Sequence, residues 1–451
     1  MRPERPRLRN LVLAPYAPPS SGGVVSSESD EGLPQENQFL LEDPEGFAPP
    51  LVLPVPLAVL VSMMDGTRTL DEIAQEFQHT LGESLKMSDL EQIVEQFDTL
   101  HFLDSPAFEA FLNGEKKAFQ ALKNRPAAMA GGAYESAPAE LEIQIRAALE
   151  TPRKIQQAEG ADAASKSRFP VNLRAAVIPH LDMERGAVAY GWGYTAIAER
   201  CDADTLLIFA SSHNPMSERF ALTAKGFETP LGVLETDTEL VREIETRFRA
   251  KYASKPGTVD LFADEFVHRD EHSIEFQTNF LKYLENTRNR KIRIVPILTG
   301  SFAPLVKASA TDGAGHSPAD DPAVQVMLET LREILDEAEK DGRKIAMLAS
   351  ANLSHVGPMF GSAERVGVET QDAVREYDAA LLERMKAGDA EGFWAELVKT
   401  QDQNNVCGIA PIYLLLKLLE SRDGAQGVLL DYEQSVDEQR LSCVSFATLV
   451  Y

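Results

Sequence analysis

Two apolar runs of the chain each lead into a histidine: Arg174-Ala-Ala-Val-Ile-Pro-His180 and Thr205-Leu-Leu-Ile-Phe-Ala-Ser-Ser-His213. A short apolar run bounded by polar or turn residues reads as a buried parallel strand. Ligands of open α/β sheets sit beyond the carboxyl ends of the strands. His180 and His213 can therefore converge on one ligand, and a metal ion is the obvious candidate. The bland alternative is that each ring only hydrogen-bonds a nearby backbone group. A softer donor, Cys407, stands in Asn404-Asn-Val-Cys-Gly-Ile-Ala-Pro411, just ahead of a helix expected to begin near Gly408. Unpaired N–H groups at a helix start favour a thiolate, the form that binds metal or attacks an electrophile. The alternative for Cys407 is a small buried hydrophobe, which is the reading for Cys201 and Cys443. A third strand-end histidine, His355, follows Ile345–Ala349 in Ser350-Ala-Asn-Leu-Ser-His355. It suits a metal ligand or an acid/base near neutral pH, or a ring that only bonds its loop. His268-Arg-Asp-Glu-His-Ser-Ile-Glu275 places two histidines four apart. They could bind zinc from one helix face, but the order is not the zincin one and the helix is expected to open near His272. Glu271, His272 and Glu275 can instead line a pocket, polarise a ligating histidine or cap that helix.

The elements that must position these groups follow from apolar patterning. Strands are expected at 174–179, 205–211, 292–299, 344–351, 427–433 and 441–449. Helices are expected at 188–200, 237–252, 272–286, 322–340, 366–386, 389–400 and 409–421. Such alternation predicts an α/β fold, a central sheet flanked by helices. Thr236–Glu239 reads as a capping box for the second helix. Residues 220–235 read as a hairpin excursion, and 303–321 as a loop or disordered insertion with His316 exposed. Upstream, Pro138 opens a helix with Leu141, Ile145 and Leu149 on one face, and 151–172 read as loop. There is no internal repeat and no Gly-rich phosphate loop.

The N-terminal third differs. Residues 1–40 are rich in Pro, Ser, Gly and Glu and read as a disordered arm. Residues 41–105 form a small helical module. Pro56 opens its first helix, Thr69–Glu72 and Ser88–Glu91 are capping boxes for the next two, and Leu100–Leu103 reads as a strand. This is the pattern of a winged helix. Residues 106–124 read as a linking helix. The module's 40–105 stretch carries thirteen acidic side chains against Arg68 and Lys86, which disfavours DNA and leaves a peptide partner or plain packing. The whole 451-residue chain has a formal charge of −26, so nucleic acid is not an expected partner. Three cysteines are a poor disulfide framework. The largely apolar Leu51–Met64 is too short for a bilayer, and no signal peptide opens the chain. A cytoplasmic location without membrane contact is expected.

Taken together, Ala175–His180, Ser211-Ser-His213, Glu228-Thr-Pro-Leu-Gly232, Glu271-His-Ser-Ile-Glu275, Ile294-Val-Pro-Ile297, Leu353-Ser-His-Val-Gly357 and Cys407-Gly408 resemble the Memo family, the protein B component of the AmmeMemoRadiSam system. The resemblance covers about 125–451, with Arg125–Tyr134 as the opening segment. Asp65-Gly-Thr-Arg-Thr-Leu-Asp-Glu-Ile-Ala74 is similar to PqqD-like peptide-recognition domains. The Memo resemblance implies a fold similar to class III extradiol dioxygenases, which hold non-haem Fe(II) with two histidines and a carboxylate, a role cysteine takes in Memo proteins. It implies His180, His213 and Cys407 as metal ligands, with His355 beside them in the position of the dioxygenase acid/base. His272 and Glu271, read above as pocket-lining or polarising groups, are the further candidate catalytic residues. Fe(II) is the expected ion, and thiolate also suits Cu and Zn. A radical SAM enzyme and AmmeMemoRadiSam protein A are the implied partners. The sequence departs from the family's His-Ala-Gly-Tyr at His180-Leu-Asp-Met183, and from its Ser-Ser-Asp at Ser350-Ala-Asn352. The second change removes a carboxylate expected to tune His355. Three functions are compatible with these residues: a dioxygenase-like oxidoreductase, a non-catalytic peptide or small-ligand binding protein, and a zinc-dependent hydrolase using Glu271 or Glu275.

Overall fold

A computed structural model describes residues 3–16, 38–158, 169–255, 257–312, 316–420, 422 and 426–451. The chain divides into two compact units, Met1–Ala121 and Leu122–Tyr451.

The first unit has a three-stranded antiparallel sheet of β1 (Val12–Tyr16), β2 (Gln38–Glu42) and β3 (Leu51–Pro54), then helices α1 (Val55–Ser62), α2 (Leu70–Leu81), α3 (Met87–Thr99) and α4 (Pro106–Ala121). Strand β1 corrects the expectation of a disordered arm for residues 3–16; residues 17–37 lie outside the described residues. The reason is a buried cation that composition hides. Arg9 reaches Asp43 at 2.8 Å and Glu45 at 2.6 Å, lies 3.9 Å over the Phe108 ring, and its N–H donates to Phe102 O. The Thr69–Glu72 capping box is present. The one expected at Ser88 is not: α3 begins at Met87 behind Lys86, and Ser88 Oγ turns to Asp89 instead. The strand expected at 100–103 is a single bridge, Leu8 to Leu103. Leu60, Val61, Ile73, Leu90, Val94 and Phe102 make this unit's core.

The second unit begins with β4 (Asn124–Arg125) and continues through α5 (Pro138–Ala158), β5 (Ala175–Ile178), α6 (Ala187–Arg200), β6 (Thr205–Ser211), β7 (Phe220–Leu222), β8 (Gly226–Thr229), β9 (Gly232–Thr236), α7 (Thr238–Tyr252), α8 (His272–Arg288), β10 (Arg293–Thr299), α9 (Ala303–Asp312), α10 (Pro322–Lys340), β11 (Ile345–Ser350), β12 (His355–Val356), α11 (Val368–Ala387), α12 (Ala390–Thr400), α13 (Ile409–Glu420), β13 (Val428–Val436) and β14 (Cys443–Val450). Its mixed sheet runs β12-β14-β5-β11-β6-β10-β9-β8-β4, with β13 on β14 and β7 on β10. The central strands β5, β11, β6 and β10 are parallel, and β14 is antiparallel to β5.

Alternation along each central strand separates two apolar layers. Leu207 and Phe209 join Val177, Ile297 and Ala349 beneath α7, α10, α12 and α13. Leu206, Ile208 and Ala210 join Ile178, Ile294 and Leu348 beneath α5, α6 and α8. A sheet covered on both faces explains why these strands read as unbroken apolar runs. The hairpin expected in 220–235 is β8–β9.

Three local expectations change. Residues 303–312 are helical, because Phe302, Val306 and Ser309 are buried along one side; His316 is exposed as expected. Helix α5 runs on past 151 to Ala158 through Pro152, while 159–168 lie outside the described residues. The cap of α7 is Asp237, whose carboxylate accepts from Leu240 N–H, and Thr236 instead donates to Lys225 O. Among the described residues no helix is long and apolar enough to cross a membrane.

Candidate metal centre

The carboxyl ends of β5, β11 and β6 lie side by side, and each is followed within a few residues by a histidine. Strand β11 separates β5 from β6, so His180 and His213 face each other across its end. Their rings stand edge to face with centroids 5.1 Å apart. Cys407 enters from the start of α13, an almost wholly buried helix. Its loop is zipped to the chain after β11: His355 N–H donates to Asn404 O at 2.7 Å, Cys407 N–H to Leu353 O at 3.3 Å, and Gly408 N–H to Asn352 O at 3.1 Å. A Cβ at Gly408 would run into Asn352 O, so only glycine allows this approach. Ser211 Oγ fixes the same loop by donating to Cys407 O at 2.7 Å.

One donor atom from each of His180, His213 and Cys407 lies within 4.8 Å of the others. Each imidazole is held by its Nδ1. His180 Nδ1 is 3.0 Å from Ser350 O, which can only accept, so Nδ1 carries the proton and Nε2 keeps its lone pair. His213 Nδ1 is 3.0 Å from Glu271 Oε1. Cys407 Sγ is 3.5 Å from His180 Nε2. Two such donors on one tetrahedral ion, at metal–sulfur and metal–nitrogen bonds of about 2.3 and 2.0 Å, stand about 3.5 Å apart. Spacing, tautomer and donor chemistry therefore fit a metal ion held by two imidazoles and a thiolate.

The electrostatics divide the rings. Burial pushes His180 well below the usual histidine range, reinforced by His213 and His272. Burial also pushes His272 and His355 down to about 4. His213 goes the other way: burial opposes its cation, but hydrogen bonds to Cys407 and Glu271 outweigh that and raise it to about 10. Glu271 is held far below the carboxylate range, the bonds from His213 overcoming the cost of burial.

Glu271 both polarises His213 and caps α8. Its Oε1 takes His213 Nδ1 and Ser273 N–H, the latter at 2.9 Å, and its Oε2 takes His213 N–H at 2.7 Å. His272 stacks on His213 with centroids 4.4 Å apart and sits 3.4 Å from Glu271 Oε1. His355 lines the same space, edge-on to Phe360, with Nδ1 3.0 Å from Leu353 O.

The His268–His272 pairing does not form. His268 precedes α8 in a short turn, is buried, and directs Nε2 to Ala221 O at 3.0 Å. Glu275 does not line the centre either. It is fully buried against Arg125 and Tyr134 and accepts from Ala128 and Met129 N–H at 3.1 and 2.9 Å. It thus pins the segment 126–134 that walls the cavity. Neither carboxylate proposed for a hydrolase is free of partners. Asn352 does not adjoin His355 as a tuning group: its Oδ1 accepts from His180 N–H at 3.0 Å. Leu181 and Met183 are buried, and Asp182 pairs with Arg185.

Residue patterning does not reveal a polar lattice beneath the three candidate donors. Gln277 donates to Pro179 O at 2.8 Å and Ser350 Oγ at 2.7 Å; Ser350 Oγ donates to Ser273 O; Ser273 Oγ donates to Ser211 O. The one signal was polar residues on faces of α8 that have no reason to meet water. Cys201 and Cys443 are buried as expected, and burial pushes both thiols up, Cys443 to about 11.

The centre opens into a cavity of about 850 Å³ whose lining includes Tyr134, Leu181, His213, His272, Phe276 and His355.

Similarity to known proteins extends over most of the chain. The family model described as "Memo-like protein" matches residues 125–314 and 322–450. A MEMO1 family protein of Aquifex aeolicus is 26% identical over 418 residues, 93% of this chain and 97% of that protein. One of Thermus thermophilus is 26% identical over 387 residues, 86% of this chain and all of that protein. One of Thermococcus onnurineus is 25% identical over 284 residues, 62% of this chain and 87% of that protein. The Aquifex alignment is longer than the second unit, so it takes in much of the first as well.

Proposed function

Because the chain belongs to the Memo-like protein family, we propose that it is a metal-binding protein with its ion on His180, His213 and Cys407. Fe(II) is the proposed ion, with Cu or Zn as alternatives the donors also suit. The observation that carries this reading is the convergence of the three donor atoms within 4.8 Å. Held this way, a redox ion would keep open coordination positions and supply dioxygenase-like redox chemistry. The chain's own residues have separable tasks. Glu271 orients His213. His355 and His272, kept neutral by burial, can accept a proton from a hydroxyl group of a substrate in the cavity. Phe276, Phe360 and Leu181 supply apolar wall around it. On the strength of the family and of the PqqD-like pattern, the proposed partners are a radical SAM enzyme with AmmeMemoRadiSam protein A, and a peptide for the first unit, in the cytoplasm.

The test is anaerobic purification with elemental analysis. One redox metal per chain is expected, and Cys407→Ser combined with His213→Ala should abolish it. Unchanged metal content in the double variant refutes the site. A second reading, a non-catalytic binding protein, is favoured by the apolar Leu181 and buried Met183 beside the first ligand. Oxygen uptake with aromatic diols would count against it. A zinc hydrolase is disfavoured by the engagement of Glu271 and Glu275, and iron or copper in the analysis would dismiss it.

A further inference from the structure

A second cavity, about 710 Å³, lies on the other side of His213. It is bounded by Ser212 and His213 after β6 and by Gly300 and Ser301 after β10, with Arg219, Tyr252 and Asp321 on its walls. The first cavity is bounded by Val444 at the start of β14, His180 after β5, and Asn352 and His355 after β11. The two cavities thus adjoin at a metal-donor histidine and together follow the sheet's carboxyl edge across β14, β5, β11, β6 and β10. Four strand spacings of about 4.8 Å make that span about 19 Å, the length of about six residues of extended chain. A one-ring substrate would fill a small part of either cavity.

Charge selects among elongated ligands. The first cavity carries Glu135, Asp182 and Glu184 against Arg185; the second carries Glu218 and Asp321 against Arg219. Both arginines are engaged, Arg185 by Asp182 and Arg219 by Asp321 at 2.9 Å. Glu135, Glu184 and Glu218 have no cavity arginine left to answer them. Burial, with Asp264 and Asp260 close by, holds Glu218 above its ordinary range, as expected of a carboxylate short of cations. The chain's −26 charge disfavours nucleic acid and other polyanions as the elongated ligand.

We propose that the two cavities together bind an extended polypeptide segment bearing lysine or arginine on both sides of the residue held at His213, with one flank in each cavity. This rests on the metal-centre reading only for what happens to the central residue.

The test uses the full chain and two fluorescein-labelled peptides, acetyl-Gly-Lys-Lys-Tyr-Gly-Lys-Lys-Gly and its counterpart with glutamate for lysine, followed by anisotropy at physiological salt. The lysine peptide should bind at least roughly tenfold more tightly. Glu184→Lys, in the first cavity, and Glu218→Lys, in the second, should each weaken it by about fivefold. Glu376→Lys makes the same charge change on an exposed turn of α11 outside both cavities, and should have less than about a twofold effect. If Glu218→Lys behaves like Glu376→Lys, or all three variants weaken binding equally, the proposal is overturned. Metal content of each protein separates the two readings. Bound metal with no peptide pattern removes only this inference, and the peptide pattern without iron, copper or zinc removes only the metal centre.

Discussion

Replacing Glu271 with glutamine tests whether the metal donors are set by the structure around them. The carboxylate takes three donors on two oxygens: His213 Nδ1 and Ser273 N–H on Oε1, His213 N–H on Oε2. An amide has one oxygen. In its better orientation the oxygen keeps the two donors at Oε1, and the amide nitrogen then faces His213 N–H across 2.7 Å. One buried donor loses its acceptor and meets another donor, which costs about 1–3 kcal/mol of stability. The ring keeps a partner but loses the adjacent negative charge that raises its basicity. Loss of such a partner behind a ligating histidine lowers metal affinity by about 10- to 100-fold, or about 1.4–2.8 kcal/mol. Chelator competition measures the affinity, and urea denaturation of the metal-free protein measures the stability. An affinity within about twofold of the parent would show that His213 is placed without its carboxylate, and the reasoning would fail.

Other consequences are as direct. Gly408→Ala forces a Cβ into Asn352 O and should cost about 1–3 kcal/mol; it should also displace Cys407, read as lost metal content in a protein that still folds. Arg125→Met strips Glu275 of its buried cation and should destabilise by about 3–5 kcal/mol in urea, whereas Tyr134→Phe removes one hydrogen bond and should cost about 1 kcal/mol. His268, His272 and His355 are each pushed down to about 4 by burial, while unfolded histidine titrates near 6.5. Between those values the unfolded chain holds more protons, so the metal-free protein should lose stability as pH falls from 7 to 4, seen as a falling urea midpoint. His268→Asn, remote from the metal donors, should make that fall shallower. The raised His213 works oppositely: its contribution is full below about 6.5 and lost as pH rises toward about 10.

The central strands were legible because a doubly covered sheet leaves uninterrupted apolar runs. Strand β6 coincides with its expected bounds, and β5, β10 and β11 differ by a residue at one or both ends. The histidines were legible because strand ends punctuate those runs. What the sequence concealed is registry between distant segments. Nothing near Asn352 announces that its amide holds the backbone of His180, and nothing near Glu275 announces Arg125, 150 positions away. The cap of α7 falls one residue from Thr236, where a strand and a helix compete for the same threonine and Asp237 is the better cap. Composition misjudged residues 3–16 because a single buried arginine and a short strand outweigh a polar surround. The small residues of 303–312 predict loop, yet small residues suffice for a helix that buries only one thin side.

The order of strands in space has a consequence for how the protein is made. Strand β11 wedges between β5 and β6 although it is synthesised some 130 residues after the latter, and the sulfur at 407 follows later still. At ribosomal speeds of about 5–20 residues per second, the nascent chain carries both early histidines for on the order of ten seconds before the strand that spaces them exists. At the proposed site an ion could meet all three donors only after residue 407 has been made, so a product truncated before that cysteine should stay empty.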